Sequence, residues 1–87
     1  MNLLENRSKK IHGPVKPGDG ASLVLDLHGA AYQVRVDIVG VHPDQITGTV
    51  YAVFDARGAE VHPAELDQLK GNRLQFAPNR IFQVFSR

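Results

Sequence analysis

The stretch LVLDLHGAAYQVRVDIVGV, residues 23–41, decides the fold. Its large apolar side chains recur at every second position, at Leu23, Leu25 and Leu27 and again at Tyr32, Val34, Val36 and Ile38. Side chains at this spacing share one face of a β-strand, whereas a helix has a period of about 3.6 residues. Gly29 suits the first central position of a type II′ turn, which requires a positive φ. The stretch therefore predicts a hairpin of two half-buried strands, in which Asp26 and Arg35 are expected to face each other as an ion pair.

The alternation continues towards the C-terminus. Pro43 interrupts it and predicts a turn, because proline offers no N–H to a ladder. A third strand is predicted over 46–54, with Ile46, Gly48, Val50, Ala52 and Phe54 on one face and Thr47, Thr49, Tyr51 and Val53 on the other. Gly48 is expected to mark a bend or a bulge. Shorter strands are predicted over 59–61, 73–77 and 80–85, the last of them apolar on both faces.

One segment favours a helix. Residues 62–71 place Pro63 at the first helical position, an apolar stripe at Leu66 and Leu69, and Gly71 at the end. A short helix is therefore predicted there, between the third strand and the last two.

Together these elements predict a mostly β protein of five to six strands and one short helix. Closing so small a sheet buries its inner face and removes its edges. We expect a small antiparallel barrel or a strongly bent sheet, SH3-like or PilZ-like, over residues 21–87. An open sheet with the helix packed on one face is the alternative. Residues 1–20 are interpreted as a basic arm followed by a loop rich in proline and glycine.

The composition excludes several classes of protein. The chain has 87 residues, enough for one domain, and 43% of them are apolar. It contains no cysteine, which excludes disulfides and Cys-ligated zinc. The longest apolar run covers only residues 50–54, and the first ten residues lack the apolar core of a signal peptide. We expect a soluble, cytoplasmic protein that makes no membrane contact.

Both ends of the chain are basic and its middle is acidic. Residues 1–20 hold four basic and two acidic residues, residues 21–71 three basic and seven acidic, and residues 72–87 three basic and none acidic. Such asymmetry indicates an anionic partner, unless the ends fold back on the acidic middle and neutralise it. The candidate anion or nucleic-acid contacts are Arg7, Lys9, Lys10, Lys16, Arg73, Arg80 and Arg87, and the candidate exposed aromatic residues are Tyr32 and Tyr51.

Catalytic and metal-binding patterns are not found in the sequence. The four histidines include no pair at the spacing of a helical metal site. No serine lies in a Gly-x-Ser-x-Gly elbow, and no glycine-rich phosphate loop precedes a helix. We therefore predict no catalytic, metal-binding or cofactor-binding residues and no cofactor.

The basic arm before a barrel-like pattern resembles that of PilZ domains, which bind a cyclic dinucleotide. Their arm carries Arg-x-x-x-Arg, and here Arg7 is followed by Ile11 where the second arginine belongs. Their barrel motif is Asp/Asn-x-Ser-x-x-Gly, whereas residues 26–31 read DLHGAA without the serine or the last glycine. The resemblance therefore implies an arm and a barrel, and no cyclic dinucleotide site.

Three functions are compatible with these observations. The first is a non-enzymatic binding module for protein–protein interaction or regulatory adaptation, with a protein partner or a second copy of the chain. The alternative is a nucleic-acid-binding barrel that uses its basic termini. The second alternative is a small-ligand or enzyme site at an oligomer interface.

Overall fold

The computed structural model describes residues 2–7, 14–27, 29–60 and 71–86. Within these ranges the protein is mostly β, as predicted. Its strands are β1 (Asn2–Leu3), β2 (Gly20–Leu27), β3 (Ala30–Val41), β4 (Ile46–Phe54), β5 (Arg73–Phe76) and β6 (Ile81–Phe85). A 3-10 turn, Pro78–Arg80, joins β5 to β6. No described residue is in an α-helix. Of the helix predicted over 62–71, residues 62–70 lie outside the described ranges, and Gly71 is in a turn.

All six strands belong to one antiparallel sheet. Five of them follow the order β1-β2-β3-β4-β5, and β6 pairs with β2. Since β3 takes one edge of β2 along its whole length, β1 and β6 share the other edge. There β6 pairs with the first half of β2 and β1 with the second half. The long strand β2 is therefore the element that joins the two ends of the chain.

The link between β5 and β6 requires the sheet to curl. These two strands lie four strand spacings apart, which is ~19 Å in a flat sheet at ~4.8 Å per spacing. The chain between Phe76 and Ile81 reaches only about 14 Å, because a 3-10 turn rises ~2 Å per residue. The two edges must therefore approach each other around the core.

The predicted closed barrel is wrong for the part of the chain that the structure describes. There β5 pairs only with β4, so no ladder joins β5 to β6. The N-terminal segment lies beside the start of β6 instead. The Asn6 N–H donates to the Asn79 carbonyl at 2.8 Å, and Asn6 Nδ2 donates to the Ile81 carbonyl at 2.9 Å. These bonds satisfy main-chain groups that closure with β5 would otherwise pair.

The core lies on the inner face of the curled sheet. Its members come from five strands: Ala21, Leu23, Leu25, Val34, Val36, Ile38, Ile46, Val50, Val53, Phe76 and Ile81. In β2 and β3 the side chains predicted to face inward are buried, apart from Leu27 and Tyr32, which are half-buried against the core. Ser22, on the opposite face of β2, is buried as well. The opposite face of the sheet is called the outer face below.

Three β-bulges shift the alternation elsewhere. Each inserts one residue into a strand: Val39 in β3, Tyr51 in β4 and Phe82 in β6. All three side chains are among the exposed large apolar residues, at 38% to 45% exposure. The bulge at Phe82 explains why the pattern of residues 80–85 suggested a strand buried on both faces. The bulge at Val39 lies beside Gly48, where the sequence predicted an irregularity.

The bulge at Tyr51 reverses the predicted faces of the end of β4. Val53, predicted outside, is fully buried opposite Val34. Phe54, predicted inside, is half-buried on the outer face opposite Gln33. A single inserted residue has this effect because the side-chain period of a strand is two.

Replacing Val53 with alanine is expected to cost about 2 kcal/mol of unfolding free energy, as Val50→Ala should. Simple alternation would put Val50 and Val53 on opposite faces, yet both side chains are at most 1% exposed. Each substitution removes two buried methyl groups and leaves a cavity in the core. Urea unfolding followed by circular dichroism measures both variants. A much smaller cost for Val53→Ala would contradict the bulge.

The first hairpin differs from its prediction by one residue. Gly29 has the expected positive φ, at 81°. Leu27 already pairs with Ala30, so Gly29 takes the second position of the turn and not the first. Asp26 consequently pairs with Ala31 and Arg35 with Ser22, and the predicted Asp26–Arg35 ion pair is wrong.

Candidate binding surfaces

Arg35 lies near the middle of the outer face. Its guanidinium carbon Cζ is 4.9 Å from the ring centroid of Phe54 and 5.0 Å from that of Phe85. Since β4 lies on one side of β3 and β2 with β6 on the other, the two rings flank the guanidinium from two sides. We call these three residues the Arg35 cluster.

The bulges bring the two rings to the outer face. The one at Tyr51 turns Phe54 outward, and the one at Phe82 puts Phe85 on the side opposite Ile81. Phe85 pairs with Gly20, which has no side chain and so leaves room above β2 for a ring. Both phenylalanines are half-buried. A cation over two aromatic faces gains roughly 0.5–2 kcal/mol per contact, more as water is excluded.

The polar neighbours of Arg35 bond to each other. Gln33 Nε2 donates to Ser22 Oγ at 2.7 Å. Arg35 Nε is buried without a hydrogen-bond acceptor. Asp37 lies two positions further along β3 on the same face and is half-buried. The Arg35 cluster therefore combines one cation with two rings, and one carboxylate lies nearby on the same face.

A second surface is an apolar groove of about 420 Å³ at the end of β3 and β4. Its lining consists of Pro14, Val15, Val41, His42, Pro43, Ile46 and Pro78. The loop before β2, residues 14–19, is held against β3 by two hydrogen bonds. Gly18 N–H donates to the Ile38 carbonyl at 2.9 Å, and Ile38 N–H donates to the Asp19 carbonyl at 2.8 Å. The groove offers apolar contact with one imidazole as its polar group.

The outer edge of β5 is a third surface. The Asn72 carbonyl accepts from Val50 N–H at 3.0 Å, so it points towards β4. Main-chain groups alternate sides along a strand, and those of Leu74 and Phe76 therefore also face β4. The main-chain groups of Arg73 and Gln75 then lie on the outer edge, which no strand of the described ranges pairs.

The predicted basic contacts lie in different places. Arg80 is half-buried, and its Nη1 donates to the Leu3 carbonyl at 3.0 Å, which ties β1 to the 3-10 turn. Arg7, Lys16 and Arg73 are exposed: Arg7 follows β1, Lys16 lies in the loop before β2, and Arg73 begins β5 opposite Thr49. Lys9, Lys10 and Arg87 lie outside the described residues.

The two tyrosines differ in their surroundings. Tyr32 is half-buried and packs against the core, and Tyr51 is exposed as a bulge residue of β4.

The sequence did not predict that Arg35, Phe54 and Phe85 lie together. Alternation placed Phe54 inside, and no residue type at Tyr51 or Phe82 signals a bulge, so only the cross-strand register reveals the cluster.

Neither a metal site nor a membrane-spanning helix is found in the described ranges. Their His, Asp and Glu side chains form no group of three that could hold a metal ion. No helix in them has the length and hydropathy needed to span a bilayer.

Known proteins offer no counterpart. Comparison with protein-family models, with curated proteins and with solved structures finds no match for this chain.

Proposed function

We propose that the chain is a non-enzymatic protein-interaction module that binds its partner through the outer face, centred on the Arg35 cluster. The observation that carries this proposal is the composition of that face. The solvated side of an antiparallel sheet is normally polar. Here it presents Phe54, Phe85 and the exposed Tyr51 around an arginine. Arginine, tyrosine and phenylalanine are enriched at the centres of protein interfaces.

The geometry of the Arg35 cluster supports this role. The two rings already confine the guanidinium, so that binding costs less side-chain entropy than it would for a free arginine. The rings themselves remain only half-buried and still have apolar surface to lose from water. Tyr51 lies next to Ala52, the residue that pairs with Arg35, and widens the same surface.

A second copy of the chain is another candidate partner. The main-chain groups of Arg73 and Gln75 on the open edge of β5 support self-association by strand pairing. An enzyme or small-ligand site at such an interface would depend on this association.

Nucleic-acid binding is less well supported. Arg80 is engaged with the Leu3 carbonyl, and Arg7, Lys16 and Arg73 belong to three separate segments of the chain. The SH3-like arrangement stays a prediction, supported by consecutive antiparallel strands whose last member returns to β2. The cytoplasmic location also stays a prediction.

Tyr51→Ala is expected to weaken partner binding about tenfold or more, because exposed aromatic residues beside an arginine act as binding hot spots. Affinity purification with quantitative mass spectrometry compares wild type with Tyr51→Ala, and with Leu4→Ala as a matched exposed apolar control. A partner whose recovery falls with Tyr51→Ala and not with Leu4→Ala supports the proposal.

Three outcomes would contradict it. Equal recovery of every protein with both variants would exclude the outer face. Tight binding of oligonucleotides at ~50 mM salt, measured by fluorescence anisotropy, would favour the nucleic-acid alternative. A dimer seen by light scattering that Gln75→Pro dissociates would favour pairing of β5 edges, because this substitution removes an outward N–H.

A further inference from the structure

We infer that Arg35 is a binding site for a carboxylate group. As a contact to the protein partner this inference rests on the proposed function, and it adds the chemistry that the partner presents: an aspartate, a glutamate or a chain terminus. The site itself is a property of this chain and can be tested with a free carboxylate.

The donors of Arg35 that a ligand can reach are its two terminal nitrogens. Nε is buried and has no acceptor. Neither Nη atom is among the buried unpaired atoms, and no hydrogen bond joins them to another of the described residues. Arg35 is half-buried, so part of its side chain stays exposed, while Phe54 and Phe85 cover the flanks of the guanidinium.

This arrangement fits a planar anion. A guanidinium presents parallel N–H donors that match the two oxygens of a carboxylate, and such paired, charge-assisted bonds are short and strong. Rings on two sides restrict the approach of a ligand to the remaining open edge. The site is partly shielded from water, because Arg35 and both rings are half-buried, and this strengthens an ionic hydrogen bond relative to one in bulk water.

The charges around the site favour a carboxylate over a phosphate. Asp37 lies two positions away on the same face and is half-buried. Among the described residues, Arg73 lies two strands from Asp37, with Thr49 between them. A phosphate carries close to two negative charges at neutral pH, and phosphate sites generally gather several donors or cations. A single arginine beside an aspartate suits a monoanion.

The test is a titration of the ¹⁵N-labelled chain, with the side-chain N–H signals of Arg35 and Arg57 followed by NMR. Sodium acetate replaces sodium chloride at constant ionic strength, and sodium phosphate does so in a second series. Arg57 is exposed in the turn after β4 and serves as an internal control. We expect a saturable shift at Arg35 with acetate, a smaller one with phosphate, and only a weak linear change at Arg57.

Arg35→Lys keeps the positive charge and loses the planar donor pair. We expect this variant to lose the saturable response to acetate, read from the main-chain amides of Gln33 and Ser22. If the variant does not fold, the wild-type titration with its Arg57 control still decides the question. A linear change at Arg35 equal to that at Arg57, or a stronger response to phosphate, would overturn the inference.

Failure of this inference and failure of the proposed function are distinguishable. If Arg35 does not respond to acetate but the Tyr51→Ala variant loses a partner, the outer face is an interface without a carboxylate contact. If acetate binds at Arg35 but both variants recover all proteins equally, the anion site is supported and the proposed protein partner is excluded.

Discussion

Replacing Leu23 with alanine is expected to lower the free energy of unfolding by about 3 kcal/mol. Leu23 lies in the middle of β2, where it pairs with Val34 on β3 and with Ile81 on β6. All three side chains are fully buried. Truncation leaves a cavity between strands that come from both ends of the chain, and buried Leu→Ala changes cost roughly 2–5 kcal/mol.

Urea denaturation provides the measurement, and Leu4→Ala is the matched control. Leu4 is 37% exposed, compared with 0% for Leu23, so the same chemical change should cost well under ~1 kcal/mol. Because Leu23 is the junction of three strands, its loss should also weaken the docking of β6. Equal costs for the two variants would contradict the register of β2 with β6.

The second large effect is expected at Gly48. A Cβ at this position would lie 2.9 Å from both Cβ and Cγ2 of Val36 on β3. Carbon atoms do not approach so closely without strain, and Val36 is fully buried, so the strands have to separate or the side chain has to leave its rotamer. We expect Gly48→Ala to cost about 2 kcal/mol, within the range of overpacked cores.

Gly40→Ala is the matched control for this variant. A Cβ at Gly40 would meet only Thr47 Cβ, at 3.8 Å, which is ordinary contact. This change should be neutral or stabilise by up to ~1 kcal/mol, since alanine loses less backbone entropy on folding. Combining Gly48→Ala with Val36→Ala should cost less than the sum of the single changes, because the second removes Cγ2, one of the two clashing atoms, and leaves only Cβ. Additive costs would show that the contact with Val36 Cγ2 is not responsible.

The register of the first hairpin shows how far local pattern reaches. Leu23, Leu25, Val34, Val36 and Ile38 were predicted to share a buried face, and they do. The alternation determines which face is buried, and a turn that lies one residue earlier than predicted shifts the pairing by two and keeps that face. The prediction was less accurate where strands distant in sequence meet. Neither Val53 in the core nor the open edge of β5 was anticipated.

The candidate site was predicted less well than the fold. The sequence directed attention to scattered cations, of which Arg80 is tied to the Leu3 carbonyl. It gave Arg35 a local partner in Asp26, which the one-residue shift of the turn separates from it. The residues of the Arg35 cluster lie on three different strands, β3, β4 and β6. Because they are far apart in the sequence, no local pattern predicts that they meet.

The amino-acid sequence alone determined that this chain is mostly β and which side chains of β2 and β3 face the core, because alternation is a local property that each strand carries by itself. Only the tertiary structure decided where Val39, Tyr51 and Phe82 are inserted, and therefore which face holds Phe54 and Phe85. A bulge forms where two strands must both pair and bend around a common core, and that requirement exists only when the partner strand is in place.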